Sequence, residues 1–186
     1  MTIQPHPIKL TYEDYLLFPD DGKRHELIDG DHYMTPAPTI RHQRISGNLH
    51  RILSAFARQH RLGQVLAAPC DVLLSDVDVV EPDLLFVSTA RQSLLTETHV
   101  AGAPDLVVEV LSERTRKVDE RIKLRLYERH GVAEYWIVDP DLETLKVHRL
   151  MGQGYVRAAE LSKDHHDTLS TPFFPDLTLL LTEIFE

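Results

Sequence analysis

The fold is decided by residues 105–139, which contain two strongly apolar runs: Asp105-Leu106-Val107-Val108-Glu109-Val110-Leu111 and Glu134-Tyr135-Trp136-Ile137-Val138-Asp139. The first run is apolar on both faces except at its acid, as is typical of a central strand. Between the runs, apolar side chains recur at helical spacing, at Val118, Ile122 and Leu126. A strand, a helix and a second strand of this length predict a βαβ unit with parallel strands.

The segments on either side predict the rest of a mixed α/β fold. A short helix is expected after Thr11, and the turn dipeptide Asp29-Gly30 predicts a β-hairpin. Apolar periodicity predicts a long amphipathic helix from about Thr39 to His60, stopped near Gly63. Further strands are expected at 64–68, 71–74, 79–87, 145–148, 155–157 and 177–185. We therefore expect one domain over residues 1–186, with an α/β (α+β mixed) fold in which a mixed sheet is flanked by helices and preceded by an N-terminal hairpin.

Composition limits the class of protein. Hydrophobic residues make up 42% and charged residues 26% of the chain, which excludes a disordered or fibrous protein. Cys70 is the only cysteine, so a disulfide framework and a zinc finger are excluded. No segment approaches the roughly 18 apolar residues of a membrane span, and residues 1–7 lack the pattern of a signal peptide. We expect a cytoplasmic protein with no membrane partner.

Charge is distributed unevenly along the chain. The net charge of −9 argues against a nucleic-acid partner, yet the segment 41–61 has five arginines and no acid. Helical spacing places these cations on the long helix, where they could contact phosphates. The candidate nucleic-acid contacts are Arg41, His42, Arg44 and Arg51. The alternative is that they form the solvated face of the helix and are balanced by acids elsewhere.

Two acids lie where strands are otherwise apolar. Asp83 follows Pro82, and Glu109 lies within the first of the two apolar runs. A buried carboxylate is costly unless it is hydrogen-bonded or bound to a cation, and two adjacent strands would bring these carboxylates together. Carboxylate oxygens suit Mg²⁺ or Mn²⁺. The alternative is that Asp83 is a turn residue and Glu109 an ordinary ion-paired acid.

Other polar residues are open to two interpretations. Lys123 shares a helix face with Asp119 and Tyr127, either as an exposed ion pair or with its ammonium directed at the strand ends. Glu26 lies in a short strand before a tight turn, where a solvent-facing position is the simpler interpretation. The cluster at 164–167 is typical of a solvated loop. Glycine-rich phosphate loops and nucleophile elbows are absent.

One set of residues runs through nearly the whole chain: 24–30, Glu81-Pro82-Asp83-Leu84, 104–112, Thr115, Asp119, Lys123, Tyr127 and 131–140. Together these residues resemble the Uma-two family of endonucleases, which belongs to the restriction-endonuclease-like PD-(D/E)XK nuclease superfamily. The segment from Asp105 to Pro140 is the most specific part of the resemblance. The resemblance implies a mixed sheet flanked by helices that carries a nuclease site.

The resemblance also implies a role for each matching residue. Asp83 corresponds to the Asp of the superfamily and Glu109 to its second acid, while Glu26 matches the N-terminal acid that the fold brings to the site. The lysine expected two residues after the second acid is replaced by Leu111. Lys123 on the next helix could return an ammonium group to the same point.

The predicted function is metal-dependent hydrolysis of phosphodiester bonds in DNA. Asp83, Glu109 and the carbonyl of Val110 would hold Mg²⁺ or Mn²⁺, which lowers the pKa of bound water and offsets charge on the phosphate. The catalytic set would be Glu26, Asp83, Glu109 and Lys123. Because Leu111 replaces the usual lysine, the alternative is a nuclease-fold module that binds nucleic acid or protein without turnover. A homodimer is left open.

Overall fold

The computed structural model describes residues 8–186, and residues 1–7, where the sequence predicts no signal peptide, lie outside the described residues. The helices are α1 (Tyr12–Tyr15), α2 (Ile40–His60), α3 (Leu124–Arg129) and α4 (Leu181–Phe185), with a 3₁₀ helix at Thr89–Leu94 and a π-helical turn at Val118–Lys123. The strands are β1 (Arg24–Ile28), β2 (Asp31–Thr35), β3 (Gly63–Ala67), β4 (Val72–Ser75), β5 (Asp78–Val80), β6 (Leu84–Ser88), β7 (Val100–Ala101), β8 (Leu106–Val110), β9 (Glu134–Asp139), β10 (Thr144–Met151), β11 (Gly154–Ser162), β12 (Thr168–Leu169) and β13 (Leu179–Leu180).

The strands form two mixed sheets with helices packed around them. The smaller sheet has the order β2-β1-β5-β4-β7, and the larger has the order β11-β10-β9-β8-β6-β3. Each sheet contains antiparallel pairs and one parallel pair. The mixed α/β prediction is confirmed, although the sequence predicts a single sheet and the structure has these two mixed sheets and a separate two-stranded antiparallel sheet, β12-β13. Within residues 8–186, no helix is both long and apolar enough to cross a membrane.

The N-terminal hairpin forms where the sequence predicts it. β1 and β2 pair antiparallel, and the two turn residues adopt positive φ angles, 53° at Asp29 and 70° at Gly30. A Cβ atom at Gly30 would come within 2.8 Å of Lys9, so the turn also requires a residue without a side chain. The hairpin presents β1 to the interior, with Glu26 and the next two residues of the strand buried.

The long helix α2 also matches its prediction. The Thr39 side chain accepts a hydrogen bond from the backbone N–H of His42, which caps the N-terminus. Ile45, Leu49 and Leu53 pack into the core beneath the larger sheet. The helix ends at the left-handed residue Arg61 rather than at Gly63, which is the first residue of β3.

The βαβ prediction is confirmed for residues 106–139. β8 and β9 are parallel neighbours, with Glu109 opposite Ile137, and both strands are buried along their whole length. The predicted strand 79–87 is instead two strands, because Glu81-Pro82-Asp83 interrupts it. β5 joins the smaller sheet and β6 the larger, so Asp83 lies where the chain passes from one sheet to the other.

The C-terminal prediction is wrong in part. The segment 177–185 contains only the two-residue strand β13 and then turns into α4. Asn48 of α2 donates a side-chain hydrogen bond to the carbonyl of Ile184 at 3.2 Å. The apolar run therefore covers α2 as a helix and does not extend the sheet.

Candidate active site

A cavity of about 850 Å³ lies where the two sheets meet the first turn of α2 and the π-helical turn. Its lining includes all four residues of the predicted catalytic set, Glu26, Asp83, Glu109 and Lys123, together with the predicted metal-binding residue Val110. These residues come from β1, the β5–β6 junction, β8 and the π-helical turn. Four separate segments of the chain thus converge on one point.

The fold brings Asp83 next to Glu109. Leu84 of β6 lies opposite Val108 of β8, so the two acids occupy the next position along the same ladder. The backbone N–H of Val110 donates to Asp83 Oδ2 at 2.9 Å. The expectation that the two acid-bearing segments are neighbours is confirmed.

An arginine and a histidine hold the Asp83 carboxylate. Arg24 contacts Oδ1 at 2.8 Å, and His42 Nε2 lies 3.0 Å from Oδ2. Burial alone would raise the pKa of Asp83, but the hydrogen bond and charge of His42 and the charge of Arg24 hold this pKa below its usual range. His42 is itself buried, so the structure places it in the cavity and not on the exposed face of α2.

Lys123 lies at the centre of a group of acids. Its Nζ atom is 2.8 Å from Glu26 Oε1, 2.9 Å from Glu109 Oε1 and 3.8 Å from Asp119 Oδ1. Its side chain is only 5% exposed, so the interpretation of an exposed Asp119–Lys123 pair is wrong. Burial would lower the pKa of Lys123, but the three carboxylates raise it well above its usual value.

Glu26 is buried, not solvent-facing as the simpler interpretation of its strand predicts. It is 3% exposed, and its Oε1 atom accepts a hydrogen bond from the backbone N–H of Glu81 at 2.9 Å in addition to contacting Lys123. These two partners compensate the cost of removing the carboxylate from water. Glu26 therefore links the smaller sheet to the π-helical turn.

The Glu109 carboxylate is held by two donors at the same oxygen. The Tyr127 hydroxyl donates to Oε1 at 3.0 Å and Lys123 donates to it at 2.9 Å, whereas no hydrogen bond to Oε2 comes from residues 8–186. Burial, reinforced by the charges of Asp119, Asp83 and Glu26, raises the pKa of Glu109 to about 8 even though Lys123 opposes this shift. Oε2 is thus the oxygen left for a ligand.

The π-helical turn gives the helix residues their common face. Asp119, Lys123 and Tyr127 all point to the cavity side and are buried. The backbone N–H groups of Val118 and Asp119 both donate to the carbonyl of Thr115, which fixes the entry into this turn. Departures of this kind from α-helical geometry are frequent at functional sites.

Leu111, which stands where the superfamily pattern has lysine, is not among the residues that line the cavity. It is 2% exposed and belongs to an apolar cluster with Leu126 and Ile137. A charged ammonium in that cluster would have to be buried among apolar side chains, which is costly. The ammonium near Glu109 comes from Lys123 instead.

The predicted arginine contacts lie outside the cavity. Arg41 is exposed and pairs with Glu143 at 3.0 Å, while Arg44 and Arg51 are exposed on the outer face of α2. Helical geometry places Arg44 and Arg51 on the face opposite Leu49, which packs into the core. These arginines could contact only a partner that extends beyond the cavity.

Sequence reasoning missed one member of the site, because it did not identify Arg24 as a side chain that contacts the acids. The signal was the two-residue repeat of β1, because Arg24 and Glu26 lie on the same face of a strand. This signal was weak by itself, since only the chain crossing between the sheets brings Asp83 within reach of Arg24.

The donor chemistry of the cavity fits a divalent cation. Its lining contains the acids Glu26, Asp83, Glu109, Glu113 and Asp119 and the permanent cations Lys23, Arg24, Arg114 and Lys123. Carboxylate oxygens are the preferred ligands of Mg²⁺, which commonly uses one or two of them and fills the rest of its shell with water. Across residues 8–186, no group of three or more His, Cys, Asp or Glu side chains is arranged to hold a metal ion. A bound ion would therefore use fewer protein ligands and more waters.

Comparison with known proteins identifies a family and similar solved structures. Residues 12–182 match the family described as "Uma2: Putative restriction endonuclease". A crystal structure from Anabaena variabilis, described as that of "a putative nuclease belonging to DUF820", aligns with a TM-score of 0.76 at 20% identity and covers 95% of this chain and 97% of that chain. At this level of identity the structural match shows a shared fold. No curated protein matches the sequence.

Proposed function

Because the chain belongs to the Uma2 family, we propose that it is a metal-dependent endonuclease that hydrolyses phosphodiester bonds in DNA. The observation that carries this proposal is the convergence of Glu26, Asp83, Glu109 and Lys123, from four chain segments, in one cavity. Two of the acids and the lysine share direct contacts of 2.8–2.9 Å. A purely structural protein has no need to bury so many ionic groups together.

Asp83, Glu109 and the carbonyl of Val110 would hold the divalent cation. When bound, a Mg²⁺ or Mn²⁺ ion lowers the pKa of a coordinated water and offsets negative charge on the phosphate. Tyr127 and Lys123 orient Glu109 by fixing its Oε1 atom, which leaves Oε2 available. The Val110 N–H fixes Asp83 in the same way at Oδ2.

Glu26 and Lys123 act on the water and the phosphate. Among the described residues, Lys123 is the lysine whose ammonium group contacts Glu26 and Glu109, and in the transition state it stabilises charge on the phosphoryl oxygens. Glu26 holds this ammonium in place through its 2.8 Å contact and accepts a proton from water on that side. Arg24 adds a second positive charge at the edge of the cavity.

A binding module without turnover is the second candidate. Its support is that the polar groups of the site already satisfy one another: Arg24 and His42 contact the two Asp83 oxygens, and Lys123 contacts three acids. Every side-chain nitrogen or oxygen of residues 8–186 that is fully shielded from solvent has a partner. A metal ion would therefore have to replace existing contacts.

The proposal extends to the DNA contacts outside the cavity, the cellular compartment and the number of copies of the chain. The exposed arginines Arg44 and Arg51 lie where a DNA backbone could contact them outside the cavity, and each phosphate contact would add salt-dependent affinity. We expect action in the cytoplasm, since a single cysteine gives no sign of an oxidising compartment. Two copies of the chain would allow cleavage of both strands of a duplex.

The test is cleavage of supercoiled plasmid DNA and of a labelled RNA of matched length in Mg²⁺, in Mn²⁺ and in EDTA. The proposal predicts nicked or linear plasmid with either metal, no cleavage in EDTA and loss of cleavage in Glu109→Gln and Asp83→Asn. A wild type that is folded by thermal melt, binds DNA and cleaves nothing would favour the binding module. Cleavage of RNA alone would support a nuclease whose substrate is RNA rather than DNA.

A further inference from the structure

The candidate active site opens into a second lobe. This lobe has a volume of about 690 Å³ and shares Arg24, His42, Asp83 and the loop 35–38 with the first cavity. It extends along α2 towards His50 and the loop 67–71. The two lobes are therefore one continuous cleft, and a strand whose phosphate lies in the candidate active site has a path into the second lobe.

One face of α2 forms a wall of the second lobe. Gln43, Ser46, Gly47 and His50 line it and recur at the spacing of a single helical face, adjacent to the face that carries Ile45 and Leu49 into the core. This face is polar, because it offers an amide, a hydroxyl and an imidazole as hydrogen-bonding groups.

Gly47 is the unusual residue on this face. Glycine is unfavourable in the interior of a helix, and a Cβ atom built at Gly47 meets no other atom within 4 Å. No packing contact within the described residues thus explains the glycine. Its effect is to keep the helix backbone open to whatever occupies the lobe.

The lobe offers charged groups for both the phosphates and the bases of a strand. Lys23 and Arg24 lie at the end that joins the active site, and the acids Asp20, Asp71, Glu81 and Asp83 also line the lobe. Cations contact phosphates, and carboxylates accept hydrogen bonds from the amino groups of bases. A volume of about 690 Å³ is that of a site for a small ligand, which suffices for a few nucleotides of one strand but not for a duplex.

We propose that the second lobe binds unpaired nucleotides of the strand that contains the scissile phosphate. This inference rests on the proposed nuclease function and specifies its substrate: DNA with a single-stranded segment beside the cleavage position. The arginines on the outer face of α2 would then contact the adjoining duplex.

The experiment fills the lobe with a side chain. Gly47→Trp projects an indole into the lobe from an open position, and Gln43→Trp fills the same space from one turn earlier. Ala55→Trp is the matched control, since Ala55 is exposed on the outer face of the same helix and lines neither lobe. Thermal melts establish that each variant is folded.

Binding is measured by fluorescence anisotropy, with Ca²⁺ in place of Mg²⁺, on a blunt DNA duplex and on the same duplex with a ten-nucleotide single-stranded extension. The wild type and Ala55→Trp should bind the extended DNA at least tenfold more tightly than the blunt DNA. Gly47→Trp or Gln43→Trp should remove most of this preference. Equal binding of the two DNAs by the wild type, or a preference that survives in both folded lobe variants, would overturn the inference.

Cleavage separates this inference from the proposed function. If the wild type cleaves, the rate on extended DNA should fall in Gly47→Trp at least tenfold more than the rate on the small diester bis(4-nitrophenyl) phosphate, which does not need the second lobe. If the wild type cleaves neither substrate, the nuclease proposal fails, while the binding comparison still decides what the lobe holds.

Discussion

Replacing Lys123 with methionine tests the centre of the site. Methionine keeps much of the aliphatic length but removes the charge, which leaves Glu26, Glu109 and Asp119 buried without their shared cation. Breaking a buried ion pair by removing one partner costs roughly 3–5 kcal/mol. An exposed pair at this helical spacing would cost only about 0.3–0.5 kcal/mol.

Urea unfolding at pH 7 measures this difference. Lys146→Met is the matched control, because Lys146 pairs with Glu120 at 3.1 Å with its side chain 20% exposed, and its loss should change the free energy of unfolding by less than about 0.5 kcal/mol. The double variant Lys123→Met/Glu26→Gln removes one of the carboxylates that lose the ammonium and should recover part of the loss. A cost below about 1 kcal/mol for Lys123→Met would refute the buried ionic cluster.

Activity gives a second, separate measurement on the same variant. Single-turnover cleavage with saturating Mg²⁺, at a temperature where Lys123→Met is folded, should be roughly a hundredfold slower than in the wild type, since loss of one electrostatic contact in the transition state costs about 3 kcal/mol. Full activity in Lys123→Met, beside an inactive Glu109→Gln, would remove Lys123 from the mechanism and leave the metal site intact.

Two further predictions concern regions outside the acids. Hydrogen bonds from the Asp29 N–H and from Ser75 hold the pKa of Asp78 below its usual value despite burial. Asp78 therefore contributes stability that is present above pH ~4 and is lost as the pH falls through the lowered pKa. Asp78→Asn should flatten the fall in melting temperature below pH 4, and a melting temperature that falls as steeply as in the wild type would contradict this. Arg44→Gln with Arg51→Gln should weaken DNA binding and reduce its salt dependence by up to about two phosphate contacts, and anisotropy titrations with an unchanged slope would leave this face of α2 as solvated surface.

The elements of the fold that could be predicted from the sequence are those with strong local signals. The Asp29-Gly30 turn, the apolar face of α2 and the run around Glu109 each determine their own structure. The site was less predictable, because its contacts join segments far apart in sequence. The distance between Arg24 and Asp83, for example, depends on the crossing between two sheets, which no local pattern encodes.

The wrong interpretations share this cause. Glu26 and the Asp119–Lys123 pair have the local pattern of exposed residues, and each is exposed or buried according to what packs over it. In the structure they cover one another, so that each compensates the burial of the next. A sequence pattern can identify a charged residue on a strand or helix, but its burial is a property of the assembled cavity.

The position of Lys123 also connects stability with function. Its ammonium contacts Glu26 of the smaller sheet and Glu109 of the larger sheet, so one cation holds together the two sheets that supply the acids. Had the lysine stood at position 111, directly after β8, its ammonium group would come from the same segment of the chain as Glu109 and not from the helix. With the ammonium on the π-helical turn, the geometry of the acids depends on the packing of that turn. Changes in that packing should therefore alter the free energy of unfolding and the cleavage rate together, whereas changes confined to the second lobe should alter only the choice of substrate.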